Sequence, residues 1–182
     1  MRPAHRLLAL GALLGTCALG CGSDRSVLDV VPDAGKGEPA TEQRVVLGSG
    51  VRAFEPLADD AHATLIAGPQ GAYHVWTSFL SYGFDTDVLH MQLSTGWDDT
   101  PGLELPMAGR VSARPTLDAE GQPALATVGW PALVEDPLCG DGRALRVDLT
   151  LSDDAGNSAS DTRRWILDVA EEYRSTECDV AP

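Results

Sequence analysis

The sequence predicts an all-β domain, a sandwich of short antiparallel strands, on three observations. Tyr73, Val75, Thr77 and Phe79 alternate with His74, Trp76, Ser78 and Leu80, the period of two that sends successive side chains to opposite faces of a strand. Leu145, Val147, Leu149 and Leu151 alternate with Arg146, Asp148 and Thr150. They run into Asp153-Asp154-Ala155-Gly156-Asn157, after which a second run leads through Trp165, Leu167 and Val169, the pattern of a long β-hairpin. Convincing helical periodicity is missing: the one candidate, Val169 to Tyr173, is short and follows a strand.

The chain opens on a segment that is not part of the fold. Arg2 and Arg6 precede an apolar run from Leu7 to Gly20 that meets Cys21, the plan of a secretion signal over residues 1–20. A membrane-spanning helix needs about 20 apolar residues, more than this run or any later one supplies. Ala18-Leu19-Gly20-Cys21 resembles a bacterial lipobox, which implies that Cys21 becomes the acylated first residue of the mature chain. Cys17, after Leu14-Gly15-Thr16, is the poorer match, and cleavage nearby without acylation would leave a soluble periplasmic protein. Each acyl CH2 group buried in a bilayer contributes about 0.8 kcal/mol, so two or three chains hold a protein at the surface essentially for good. The membrane lipid is then the first expected partner. Gly22 follows the cysteine where an aspartate would resemble an inner-membrane retention signal, which favours the outer membrane.

Residues 21–43 read as a flexible tether, polar and with little apolar periodicity apart from Val27, Leu28, Val30 and Val31. The formal net charge of the chain is −14, and loss of the signal removes two arginines and no acid. An acidic surface disfavours nucleic acid and anionic lipid and favours cations or basic partners. The remaining length suits one domain, over residues 44–182.

Within that domain Val45-Val46-Leu47 reads as a first strand, and Pro56 keeps Ala53 to Leu57 out of any central strand. Ala63 to Ala67 reads as the second strand, entering a turn at Gly68-Pro69-Gln70-Gly71. The alternating Tyr73 to Leu80 segment carries large apolar groups on both faces, which predicts a central strand. Leu89, Met91 and Leu93 follow on the next. Leu103 to Leu105 and Val111 to Leu117 are separate strand candidates divided at Gly109, and Asp118-Ala119-Glu120-Gly121 is a turn signal. Ala124 to Val128 is a strand, and Trp130 to Asp141, with Pro131 and Pro137, reads as a loop. In the closing hairpin both Gly156 and Asn157 suit positive φ.

After removal of Cys17 and acylation of Cys21, Cys139 and Cys178 remain as a pair in an oxidising compartment, which predicts a disulfide. Closing a loop of about 40 residues would restrict the unfolded chain by roughly 4 kcal/mol. The run Leu149 to Ser160 resembles the closing hairpin of bacterial immunoglobulin-like domains, which implies an immunoglobulin-like β-sandwich. Phe54-Glu55-Pro56-Leu57, Gly68-Pro69-Gln70-Gly71 and His74-Val75-Trp76 look like predicted lipoproteins of myxobacterial type. That likeness implies location and fold and brings no activity or cofactor.

Catalytic signatures are missing: there is no Gly-x-Ser-x-Gly, no His-Glu-x-x-His and no phosphate-binding loop, and the only lysine, Lys36, sits in the tether. The expected function is a non-catalytic binding or structural module of the cell envelope, with an envelope protein as a candidate partner. Gln70 and His74 are candidate binding residues because strand packing does not explain their polarity. Trp97 and Trp130, at loop edges, are candidates for an aromatic platform. The alternative is a metal protein, either copper on His62, His74, His90 and Met91, or calcium on turn acids such as Asp59-Asp60, Asp85/Asp87, Asp98-Asp99 and Asp153-Asp154.

Overall fold

The computed structural model describes residues 42–100, 102–135 and 137–174. The signal, Cys21, most of the tether and Cys178 lie outside the described residues. The strands in chain order are β1 (Arg44–Ser49), β2 (Glu55–Pro56), β3 (His62–Thr64), β4 (Ile66–Ala67), β5 (Tyr73–Tyr82), β6 (Val88–Trp97), β7 (Glu104–Ser112), β8 (Arg114–Leu117), β9 (Pro123–Leu133), β10 (Ala144–Ser152) and β11 (Ser158–Asp168). Two 3-10 turns, Pro137–Cys139 and Glu171–Tyr173, are the only helical pieces among the described residues.

The strands form two sheets. The first has the order β2-β1-β5-β9-β8, with β4 also on β5; the second has the order β3-β11-β10-β6-β7. This is the immunoglobulin-like β-sandwich of the sequence reading. Val45, Leu47, Val75 and Phe79 from the first sheet meet Leu89, Met91, Leu93, Leu145, Val147, Leu149, Leu151, Trp165 and Leu167 from the second in one core. Each such side chain contributes about 1.5–3 kcal/mol by leaving water. The alternating β10 places Leu145, Val147, Leu149 and Leu151 there, because period two is the geometry of a strand with one buried face.

Five expectations are corrected. The segment from Ala63 to Ala67 is two strands, β3 in the second sheet and β4 in the first, and the chain changes sheets at buried Leu65, whose N–H donates to Asp168 O at 2.9 Å. β3 runs parallel to β11, so the sandwich is not wholly antiparallel. β7 continues through Gly109, and the break falls at buried Ala113, where the chain again crosses between sheets.

The expected loop after Val128 begins instead as strand, since β9 extends to Leu133 and pairs Trp130 with Thr77. The register slips opposite Ser78, and Gly129 carries a φ of +68°. A Cβ there would stand 2.6 Å from Val51 O, so only glycine fits this bulge. Pro131 is tolerated because β8 stops pairing with β9 at Ala126, leaving that half of β9 at the sheet edge.

In the closing hairpin only Gly156 takes positive φ, at +88°; Asn157 does not. Asp153 organises that turn instead. Its Oδ1 accepts from the N–H groups of Ala155 at 3.0 Å and Asn157 at 2.9 Å, and its Oδ2 accepts from Asn157 Nδ2 at 2.7 Å. The Asn157 side-chain bond leads the causes that lower the Asp153 pKa.

Candidate functional site

The outer face of the first sheet carries its own apolar patch. β1 sends Val46 outward, β5 sends Leu80 and Tyr82, β9 sends Ala124 and Ala126, and Phe54 from the β1–β2 connection packs on them. Phe54 reaches this position because β1 has Gly48 beneath it, where a Cβ would lie 2.7 Å from the phenylalanine ring. In register, Val46, Leu80, Ala126 and Arg114 form one row across four strands, which spans about 14 Å at the usual strand spacing. These residues floor an open groove of about 710 Å³, flanked by the Asp118-Ala119-Glu120 turn.

That turn is well fixed. Asp118 Oδ1 accepts from the N–H groups of Glu120 at 3.0 Å and Gln122 at 2.8 Å, and Tyr82 donates its hydroxyl to Asp118 Oδ2 at 3.0 Å. The bond from Gln122 N–H leads the causes that hold the Asp118 carboxyl below its usual pKa. Burial leads those that push the Tyr82 phenol up.

The charges around the groove set it apart. Arg110, Arg143, Arg146, Arg163, Arg164 and Arg174 each have a carboxylate partner. Among the described residues the arginines outside such ion pairs are Arg44, Arg52 and Arg114, and all three line this groove. Arg44 lies over the Tyr82 ring, 4.0 Å from its centroid, and attracts Asp118 only from beyond ion-pair distance, the smallest cause of that carboxyl's lowered pKa.

Exposed Leu117 and Val128 add apolar surface to the walls; Leu117 is 65% exposed. A guanidinium presents a planar fork of donors that matches carboxylate or phosphate oxygens, so the groove can hold an anionic group together with apolar matter. Its lining contains no histidine, cysteine or serine. A net charge of −14 averages over this locally basic patch.

The residues singled out from sequence fall elsewhere and do not converge. Gln70 is exposed on the turn closed by Gly68 N–H to Ala72 O at 2.8 Å. His74 is buried, 8% exposed, in β5, with its ring edge-on to Trp76 at 4.6 Å. Its Nε2 has no hydrogen-bond partner, and burial pushes its pKa down; an enclosed neutral imidazole of this kind is a packing residue.

Trp97 is a correction. It lies within β6, is 7% exposed, donates Nε1–H to Glu135 O at 3.0 Å and stacks against Arg143 at 4.2 Å, so it closes the core and offers no platform. Trp130 is half-buried against the same core, on β9 of the other sheet. Cys139 ends a 3-10 turn, and its expected partner Cys178 lies outside the described residues, as does the acylation candidate Cys21.

The proposed metal ligands are likewise dispersed. His62 pairs with Asp168 at 2.7 Å, while His90 pairs with Asp154 at 2.6 Å. Asp99 and Asp60 are matched to arginines and Asp153 to its own turn. Among the described residues no three His, Cys, Asp or Glu side chains converge on a point that could hold a metal ion.

The groove residues escaped the sequence reading because no motif marks an arginine as unpaired. Their only trace in sequence is that Arg44 and Val46 share the outward register of the first strand. Comparison with known proteins matches no family model and no curated protein.

Proposed function

We propose that this chain is a lipid-anchored protein of the bacterial cell envelope whose sandwich is a non-catalytic binding module, presenting the outer face of its first sheet to a partner. One observation carries the reading: an apolar sheet face with Phe54 and Tyr82 in its floor is bordered by the three arginines outside the domain's ion pairs. Aromatic residues and arginine are the side chains that dominate binding interfaces. The anchor reading rests on the lipobox-like Ala18-Leu19-Gly20-Cys21 and places the protein at the outer membrane through Gly22. It joins two further readings from sequence: that Cys139 pairs with Cys178, and that the acidic chain does not bind nucleic acid.

The test places a photo-crosslinking residue at Leu117 and, separately, at Thr150 on the outer face of the second sheet, in the native envelope. Crosslinks at Leu117 with none at Thr150 are expected. None at either, or equal yields at both, removes the binding face. The anchor is tested separately: Cys21→Ser abolishes acyl labelling and releases the protein from the membrane fraction, and retention of both would sink it.

A further inference from the structure

We infer that the partner of this groove is a short acidic segment of another protein that also carries apolar side chains. The inference rests on the binding-module reading above and names the chemistry of its partner. Charge complementarity is the first argument. Six of the nine arginines among the described residues are matched to carboxylates, and the three that are not, Arg44, Arg52 and Arg114, gather at one groove. Asp118 and Glu120 stand at one wall of the groove but beyond ion-pair distance of these guanidiniums, so the three arginines keep their donor forks for the carboxylates of a partner.

The placement of the charges argues for a polypeptide over a lipid. Arg44 on β1 and Arg114 on β8 stand on opposite sides of the floor, with β5 and β9 between them. An extended chain repeats its side chains on one face about every 6.8 Å. Over the roughly 14 Å of the floor it can therefore set acid, apolar and acid groups against arginine, Leu80 and arginine in turn. A lipid has one charged head and matches only one end.

The net charge limits the partner's size. With a net charge of −14 the chain repels a uniformly acidic protein at long range. That repulsion is screened beyond about 8 Å in physiological salt, so a short acidic stretch is accepted where a wholly acidic surface is not. The exposed Leu117 and Val128 provide the apolar contacts beside it.

The experiment titrates the purified full chain into a labelled octapeptide of alternating aspartate and leucine and follows fluorescence anisotropy. Its lysine–leucine counterpart is the control. Saturable binding of the acidic peptide alone is expected, weakening with salt. Charge reversal at Arg44→Glu with Arg114→Glu should weaken it about tenfold or more, whereas Arg110→Glu on the second sheet should leave it unchanged. Leu117→Asp weakens it by a route that leaves the arginines in place, and unchanged melting temperatures keep the comparison on the folded protein.

Equal binding of the two peptides, or an unaffected double variant, overturns the inference. So does displacement of the peptide by vesicles of anionic but not of neutral phospholipid. If the acidic peptide fails while Leu117 still crosslinks in the envelope, the face binds and the assigned chemistry is wrong. If both fail, both readings fall.

Discussion

The two outer faces of the sandwich are built from the same kind of strand and finished in opposite ways. On the second sheet the outward side chains satisfy one another. Arg146 reaches across Gly96 to Glu104 and also pairs with Asp148 at 2.8 Å, Thr162 donates to Asp148 at 2.8 Å, and Thr150 meets Ser160 at 2.8 Å. On the first sheet Val46 of β1, Leu80 and Tyr82 of β5 and Ala124 and Ala126 of β9 form an outward apolar cluster, and the arginines beside it are without carboxylate partners. A face whose charges cancel internally offers little to a partner, whereas an apolar face with unmatched guanidiniums has interactions left to make. Only the first reads as unfinished.

The comparison can be broken by measuring how much each face contributes to folding. The largest effect is expected in the shared core: Trp165→Ala, at a fully buried position, should cost about 3–5 kcal/mol in denaturant unfolding. Leu80→Ala, in the small cluster on the outer face, should cost about 2 kcal/mol, the low end for a buried leucine, because its surroundings open to water. A loss equal to that of Trp165 would mean that the outer patch is a second core and not a binding floor.

Arg146→Ala should cost under about 1 kcal/mol, as partly exposed ion pairs do. Part of that cost should vanish when Glu104→Ala is already present, which a double-mutant cycle detects. Arg114→Ala should stay within about 0.5 kcal/mol of the parent. If Arg114 proves as stabilising as Arg146, the claim that the first face holds its arginines in reserve is lost.

The smallest effect concerns pH. Burial lowers the His74 pKa below its ordinary 6.5. Between that value and its lower folded-state value the unfolded chain binds the extra proton, so stability is fully present above about pH 6.5 and declines as the pH falls through this window. His74→Gln should remove that part of the slope, read as melting temperature against pH. An unchanged slope would show that the ring is less enclosed than its 8% exposure implies.

Much of the fold was legible in the sequence. β10 and β11 were readable because Leu145 to Leu151 alternate without interruption and Asp153 to Asn157 form an evident turn. β5 was readable as central because both of its faces carry large groups. The second half of β9 was not, because Gly129 and Pro131 are ordinarily breakers and become strand residues only where a bulge and a sheet edge accommodate them. The sheet change at Leu65 was hidden for a related reason: one continuous apolar run served two sheets.

The candidate site was barely legible. Gln70 and His74 stood out for being polar, yet one faces solvent on a turn and the other is sealed inside. Trp97 looked like a loop-edge aromatic until Glu135 and Arg143, both distant in sequence, closed over it.

Sequence by itself determined what depends on local chemistry: the strand periods, the turn residues, the excess of acid and the expectation of a lipobox-directed anchor at Cys21. Arg146 with Asp148 and Arg163 with Asp161 are local pairs, two residues apart on one strand face, but tertiary structure alone decided which arginines stay without a partner. Arg146 and Arg114 both lie on strands, and nothing within a few residues of Arg114 tells it apart. Pairing is a property of the space around a guanidinium. In the first sheet the neighbour across from Arg114 is Ala126, with Leu80 and Val46 further along the same row, and no carboxylate comes within ion-pair distance of Arg114.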